Sequence, residues 1–283
     1  MDYSRYAASG RYYTGAERKK GILIEGEAYI VKFAKDSPEG MSYSHVSEYL
    51  GSHLFAHAGI RTQETMLGTC GGHPVVVMKD FLEPGESFVP FNDVGDSSLE
   101  RDRERYQYTY EDIMAMLLEN RKLTDVQETC ERFWEMYLID AWIGNFDRHG
   151  ANWGFVKKDN KYRMAPVYDN GSSLFPRLNT DEKLQAVMDS AEEMERRVYQ
   201  FPTSQILLRG RKSFYYEVIS SLDYEACNDA LYRIRGRIDL KWVDKFVDDM
   251  EGLSVMRRRF YKEMLGLRYE KLIEEPYRKL TGE

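Results

Sequence analysis

Gly144-Asn145-Phe146-Asp147-Arg148-His149-Gly150-Ala151-Asn152 is a polar loop between an apolar helical run that starts near Phe133 and a short β-rich run, Trp153–Lys157. The helix is expected to stop at Gly144 or Asn145. After the turn Lys158-Asp159-Asn160 and a second β-rich run, Tyr162–Val167, comes Val167-Tyr168-Asp169-Asn170-Gly171-Ser172. Two loops at the ends of neighbouring elements therefore offer three oxygen ligands, from Asp147, Asn152 and Asp169. Phosphoryl transfer needs such a set. Mg²⁺ is a hard cation that takes carboxylate and amide oxygens and shares itself with substrate phosphates. A further carboxylate must sit beside the acceptor hydroxyl to take its proton. Protein kinases place an Asp and an Asn five residues apart, then an Asp on the next hairpin. In this reading Asp147 is the catalytic base, and Asn152 and Asp169 are the metal ligands. An Asp-Arg-His-Gly run can also be no more than a polar turn with a helix-stop glycine.

Working outward, Gly21–Phe33 reads as two strands around the hairpin turn Glu25-Gly26-Glu27. Lys32 ends the second strand, where it could enter a cleft and meet nucleotide phosphates as a point charge. Ser44–Ala58 carries Val46, Tyr49, Leu50, His53, Leu54 and His57 at helical spacing, with Gly59 as the stop. Glu48 on that helix is the natural carboxylate partner of Lys32. A solvated Lys and a surface Glu are the plain alternatives; their order before the later Asp, Asn and Asp favours the paired reading.

Thr14-Gly15-Ala16-Glu17-Arg18-Lys19-Lys20-Gly21 is a glycine-bounded basic segment. Its backbone N–H groups, with Gly15, Ala16, Lys19 and Lys20, could cradle phosphates. It is neither a GxGxxG nor a Walker sequence, and it reads equally well as a solvated arm. Val75-Val76-Val77-Met78-Lys79-Asp80-Phe81 is a strand running into a polar stretch. Met78 and Phe81 are placed where an adenine edge could meet the backbone, and a core strand is compatible with that. Met136, Tyr137, Trp142 and Phe146 are read as core, and His149 as a brace of the loop.

Thr62–Gly68 and Pro74–Phe81 form two strands around Gly71-Gly72, whereas Glu83–Glu104 reads as a long loop or lobe connection. Beyond Thr180 nearly everything reads as helix, broken near Pro202, Gly210 and Gly236. The expected fold is therefore α+β with two lobes: 1–82 a small β-rich N-lobe, 83–109 a connecting region, 110–283 a larger helical C-lobe. A cleft between them is where a ligand site would form.

Composition narrows the function. The 283 residues are 42% hydrophobic and 31% charged, with net charge −7, so a folded protein is expected and one built chiefly to grip nucleic acid is not. Arg257-Arg258-Arg259 reads as a solvated helix face. Three scattered cysteines, with no CxxC, argue against structural zinc. Neither a signal peptide nor an apolar run long enough to span a membrane stands out, so no membrane association is expected. The expected compartment is the cytoplasm, with export or delivery to a host by a route that leaves no mark in the sequence left open.

Asn145–Asn152, with Tyr168-Asp169-Asn170-Gly171-Ser172, resembles the catalytic and metal loops of the HipA-like serine/threonine kinase family. The segment Gly15–Gly21 leading into Tyr29-Ile30-Val31-Lys32-Phe33 is similar to that family's phosphate loop and ATP lysine. Ser47–His53 and Gln63-Glu64-Thr65 resemble its short, CtkA-type members. The likeness spans roughly residues 10–180 in matching order.

The resemblance implies a protein-kinase-like fold and an ATP- and Mg²⁺-dependent serine/threonine kinase acting on a protein substrate. It also implies autophosphorylation in the phosphate loop, for which Thr14 and Ser9 are candidates and Thr14, beside Gly15, is preferred. Full-length HipA proteins carry an additional N-terminal segment that contacts an antitoxin. This chain begins almost at the phosphate loop, so an antitoxin partner is doubtful. Competing readings are a phosphoinositide-type lipid kinase, whose loop is similar, a nucleotide-binding pseudokinase module, and a metal hydrolase on Asp147, His149 and Asp169. The hydrolase would need a second ligand cluster, and none is found.

Overall fold

The turn Glu25-Gly26 takes left-handed backbone at both positions, φ 54° and 88°, as a two-residue hairpin turn requires. It joins β1 (Lys19–Ile24) to β2 (Glu27–Phe33). The structure, a computed structural model, describes residues 1–11, 18–37, 40–94 and 107–283. Thr14, Gly15 and Ala16, and much of the stretch expected to link the lobes, lie outside the described residues.

Two short paired strands follow, β3 (Asp36–Ser37) and β4 (Gly40–Met41), then α1 (Ser44–His57), β5 (Thr65–Cys70) and β6 (His73–Lys79). β1, β2, β6 and β5 form an antiparallel sheet in that order, with Lys32 opposite Val76. Val75, Val76 and Val77 are fully buried, as a strand covered on both faces must be. Residues 1–9 strap this sheet. Tyr3 N donates to Thr69 O on β5, while Leu23 N on β1 donates to Ala7 O and Ser9 N donates to Gly21 O. Between these contacts Tyr3 is buried against Ile22, Val31, Cys70, Val75 and Val77. Gly68 makes this approach possible: a Cβ there would lie 2.5 Å from both Met1 O and the Tyr3 ring.

After the sheet come β7 (Ser87–Pro90) and α2 (Phe91–Val94). The expected loop thus contains a strand, and β7 pairs not with the first sheet but with β8 (Gly154–Lys158). Its four residues are too few for a period-two signal to stand out in a Gly- and Pro-rich context. α3 (Tyr110–Glu119) opens on a capping box between Thr109 and Asp112. α4 (Val126–Ile143) is buried all round from Phe133 to Ile143, so it forms the axis of the C-terminal half. β9 (Lys161–Met164) completes the β7-β8-β9 sheet.

α5 (Asp181–Met188) and α6 (Ala191–Tyr199) are followed by a hairpin, β10 (Thr203–Leu208) and β11 (Arg211–Phe214), where helix was expected. Ser204 and Ile206 are the inward residues of β10, and a serine in one inward place hides the alternation. Arg209 and Gly210 supply the turn with φ 51° and 78°. α7 (Tyr215–Ser221), α8 (Glu225–Arg235) and α10 (Val255–Tyr269) pack against α4, and α9 (Leu240–Asp249) packs against α10; a π-helical turn (Glu270–Glu274) and α11 (Glu275–Thr281) end the chain.

The arginine run on α10 is not one solvated face. Arg257 is 1% exposed, with its guanidinium 3.4 Å from the centre of the Tyr43 ring and a bond to Leu178 O. Arg259 is exposed beside Glu263. Three consecutive helical residues span most of a turn, so one of them must face inward. Among the described residues, no helix is long and apolar enough to cross a membrane.

Candidate active site

Gly144 ends α4 in the left-handed conformation, φ 67°, and the chain turns directly into the loop Asn145–Asn152. Asn145 is fully buried. Its side-chain amide donates to Asp140 Oδ1 (2.9 Å) and its Oδ1 accepts from Asp147 N (3.0 Å), so the loop is fixed to the helix that precedes it. Asp147 is only partly buried, its side chain 41% exposed. Asn152 donates its amide to Asp147 O (2.8 Å), which leaves the carboxamide oxygen as the atom for a cation. His149 braces the turn. Its Nδ1 accepts from Ala151 N (3.2 Å), and its Nε2 lies 3.9 Å from Asp147 Oδ1.

Arg148, to which the sequence reading gave no role, joins these parts. It is buried, donates to both oxygens of Asp140 (2.8 and 3.0 Å), and bonds Asn152 O (2.9 Å), Asn170 Oδ1 (2.6 Å) and Tyr168 O. One guanidinium thus ties α4, the Asp147 loop and the Asp169 loop together. Burial opposes its charge, but Asp140 outweighs burial and keeps it protonated. Asp140 was the available signal: a carboxylate within a helix buried on every side needs a buried cation.

The Asp169 loop is built against α1. Asp169 has left-handed backbone, φ 56°, uncommon for a residue with a side chain and a mark of functional loops. Lys32 Nζ bridges Asp169 Oδ1 (2.7 Å) and Glu48 Oε2 (3.0 Å). Glu48 also accepts from Asn170 N (2.6 Å) and Gly171 N (3.1 Å), while Asn170 donates to Ser52 Oγ (3.1 Å). Two glycines permit this fit. A Cβ on Gly51 would lie 2.7 Å from the Asn170 side chain, and one on Gly171 would crowd Glu48 and Lys32 at 3.2 and 3.4 Å.

The electrostatics separate the two aspartates. Burial raises the Asp169 carboxyl, but Lys32 overrides it and draws the pKa down to about 2, with help from Arg148 and Lys19. Asp147 moves the other way. Partial burial pushes it up, the Asp169 charge adds to that, and His149, Lys35 and Lys212 oppose it. Lys32 is kept charged: burial works against it, and Glu48 and Asp169 more than compensate. One carboxylate held ionised and a neighbour held nearer neutrality is the division expected of a metal ligand beside a base.

The remaining candidates divide. Lys19 pairs across the sheet with Lys32 and shares its face, and its charge reaches Asp169. Lys20 pairs with Val31, so it lies on the opposite face and is not brought to the site. Met78 is buried in β6. Phe81 stands just beyond β6 in an aromatic group with Phe88 and Tyr168, both 6.1 Å away, directly before Asp169. Ser9 is tied to β1 by its backbone, and its hydroxyl accepts from Arg11 N (3.3 Å). Arg11, next to the undescribed glycine segment, forms a 2.5 Å ion pair with Asp80 at the end of β6. Of the residues read as core, Met136, Tyr137 and Trp142 are buried, whereas Phe146 lies half-buried on the loop.

Glu48 is held from behind as well. Along α1, Tyr49, His53 and His57 meet rings of α9: His57 stacks on Trp242 (3.9 Å, 4° between planes) and His53 on Phe246 (5.0 Å). His57 Nε2 accepts from Asp239 N (3.1 Å) at the start of α9. Such ring pairs contribute about 0.5–1.5 kcal/mol each. Trp242→Ala with Phe246→Ala is therefore expected to speed amide exchange across residues 44–57 and to weaken the Lys32–Glu48 pair. Unchanged exchange would mean that the Asp169 loop alone holds the helix.

The model of the HipA-like C-terminal domain matches residues 13–235. The serine/threonine-protein kinase CtkA of Helicobacter pylori (strain J99) is 31% identical over 272 residues, covering 93% of this chain and 82% of that protein. The crystal structure of a Helicobacter pylori proinflammatory kinase CtkA superposes with a TM-score of 0.89 at 28% identity, covering 100% of this chain and 98% of that one. HipA of Shewanella oneidensis MR-1, solved with HipB and operator DNA, superposes with a TM-score of 0.62 at 16% identity, covering 97% of this chain and 69% of that one. That last likeness is one of fold.

Proposed function

The chain belongs to the HipA-like C-terminal domain family, and from this we propose that it is a protein serine/threonine kinase that uses ATP and Mg²⁺. The observation that carries the reading is the Lys32 bridge to Glu48 and Asp169, with Asp147 and Asn152 on the adjoining loop. The donor set fits the metal. A carboxylate and a carboxamide, with phosphate oxygens completing the shell, suit Mg²⁺, which is seldom held by protein alone.

Asp169 and Asn152 would hold the metal, which when bound neutralises charge on the phosphates. Lys32 offers a fixed positive charge to the phosphate oxygens, and Glu48 keeps it aimed. Lys19, on the same face, adds to that field. Asp147 orients the acceptor hydroxyl and takes its proton as the new O–P bond forms and the bond to ADP breaks. Autophosphorylation belongs to the same reading, at Thr14 in preference to Ser9, whose backbone is fixed to β1.

Incubation with labelled ATP and Mg²⁺ tests this. Wild type is expected to label itself or a generic protein acceptor, and Asp169→Asn to lose that label by orders of magnitude. A wild type that labels nothing, in fully folded preparations, would remove the kinase reading. Mapping the label by mass spectrometry in Thr14→Ala and Ser9→Ala variants locates the modified residue.

The rate should also depend on pH through Asp147. Only the carboxylate accepts a proton, and burial raises its pKa from the ordinary value, so kcat should fall as pH drops toward it. Lys212 lowers that pKa. Lys212→Ala should therefore shift the acid limb to higher pH; a limb that moves down or stays would assign it to another group.

A further inference from the structure

Phe146 directly precedes Asp147, and its half-buried ring lies 6.2 Å from that of Phe201, with 27° between planes. Phe201 is 42% exposed, and its other neighbour, Phe175, is buried 6.0 Å away. The three rings form an apolar shelf that starts in the core and surfaces beside the catalytic loop. It is fixed there, because Gln205 on β10 donates to Phe146 O (2.5 Å). A single exposed phenylalanine is ordinary, but one continuous with two others at a reactive carboxylate is a surface with something to cover it. On β11 of the same hairpin, Lys212 is exposed, and its charge reaches Asp147.

Resting on the kinase reading above, we propose that Phe146 and Phe201 with Lys212 form the acceptor subsite, and that the substrate is a protein segment whose Ser or Thr has a bulky apolar residue within two positions and an acidic residue nearby. An extended segment advances about 3.3 Å per residue. A hydroxyl at Asp147 would therefore bring its near neighbours over the adjoining rings. The exposed lysine on the hairpin supplies the charge complement for the acidic side chain. A lipid headgroup would leave the rings uncovered.

The test uses peptides with one central Thr and varied flanks, each assayed for kcat and KM with wild type, Phe201→Ala, Phe201→Leu and Lys212→Glu. The assays are run well above the acid limb of Asp147, with circular dichroism as the check of fold. Wild type is expected to favour a Phe or Leu flank over Ala by roughly tenfold or more in kcat/KM, chiefly through KM. Phe201→Ala should abolish that preference and Phe201→Leu restore most of it. Lys212→Glu should invert the preference for Asp over Lys in the peptide. Retention of the apolar preference by Phe201→Ala would overturn the subsite, as would equal use of all flanks, or transfer to phosphoinositide vesicles in place of peptides. In the first two cases transfer itself persists, so the kinase reading survives; absence of transfer to any acceptor would remove both.

Discussion

Arg148→Met is expected to cost about 3–5 kcal/mol of stability, because it leaves Asp140 buried and charged with no cation beside it. Asp140, Asn170, Asn152 O and Tyr168 O all lose a bond at once. Breaking one partner of a buried pair costs more than removing both, since the orphaned charge carries the desolvation penalty. The double variant Asp140→Leu with Arg148→Met should therefore recover part of the loss. Equilibrium denaturation of the single and double variants measures this directly. If the single variant loses less than about 1 kcal/mol, Arg148 is not the tie between the loops that its bonds indicate.

Asp147→Asn is expected to separate function from stability in the opposite sense. With the proposed general base gone, transfer should fall by about 10²–10⁴-fold, while nucleotide affinity should stay close to wild type because Lys32, Asp169 and Asn152 are untouched. Stability should hold or rise. The folded state raises the Asp147 pKa through burial and the Asp169 charge, so at neutral pH its ionised form opposes folding. That penalty is absent below the ordinary carboxylate pKa and fully present above the raised one. Asparagine relieves it, as expected where activity is maintained at some cost to the fold. Single-turnover kinetics beside thermal melts at neutral and acid pH read both effects. A variant that transfers as fast as wild type would exclude Asp147 as the base.

The parts of the site that sequence made legible are those whose chemistry is local. Asp147, Asn152 and Asp169 share a short span with one hairpin between them. Lys32 and Glu48 each lie on an element whose period is plain. Arg148 and Asn170 were in the same quoted loops but were passed over, because what they do depends on Asp140, one helical turn before the loop, and on Ser52, far back in the chain. The β10–β11 hairpin was hidden by a polar inward residue, Ser204. Arg257 was misread because a run of charges looks solvated until a ring, here Tyr43, supplies a place to bury it. The aromatic contact between α1 and α9 joins residues almost two hundred positions apart, and neither helix announces its partner.

The strap formed by the first nine residues gives the N-terminal sheet a property that its four strands do not have by themselves. β1 and β5 stand at opposite margins, and each has hydrogen bonds to this one segment. A bare margin offers unpaired N–H and C=O groups to any other chain and is a common start of aggregation. Removing the strap would uncover two margins together, along with the apolar floor beneath Tyr3. Molecules so trimmed could add to one another at both ends, so the product would be an open-ended assembly instead of a dimer. The first nine residues thus occupy both margins of the sheet at once.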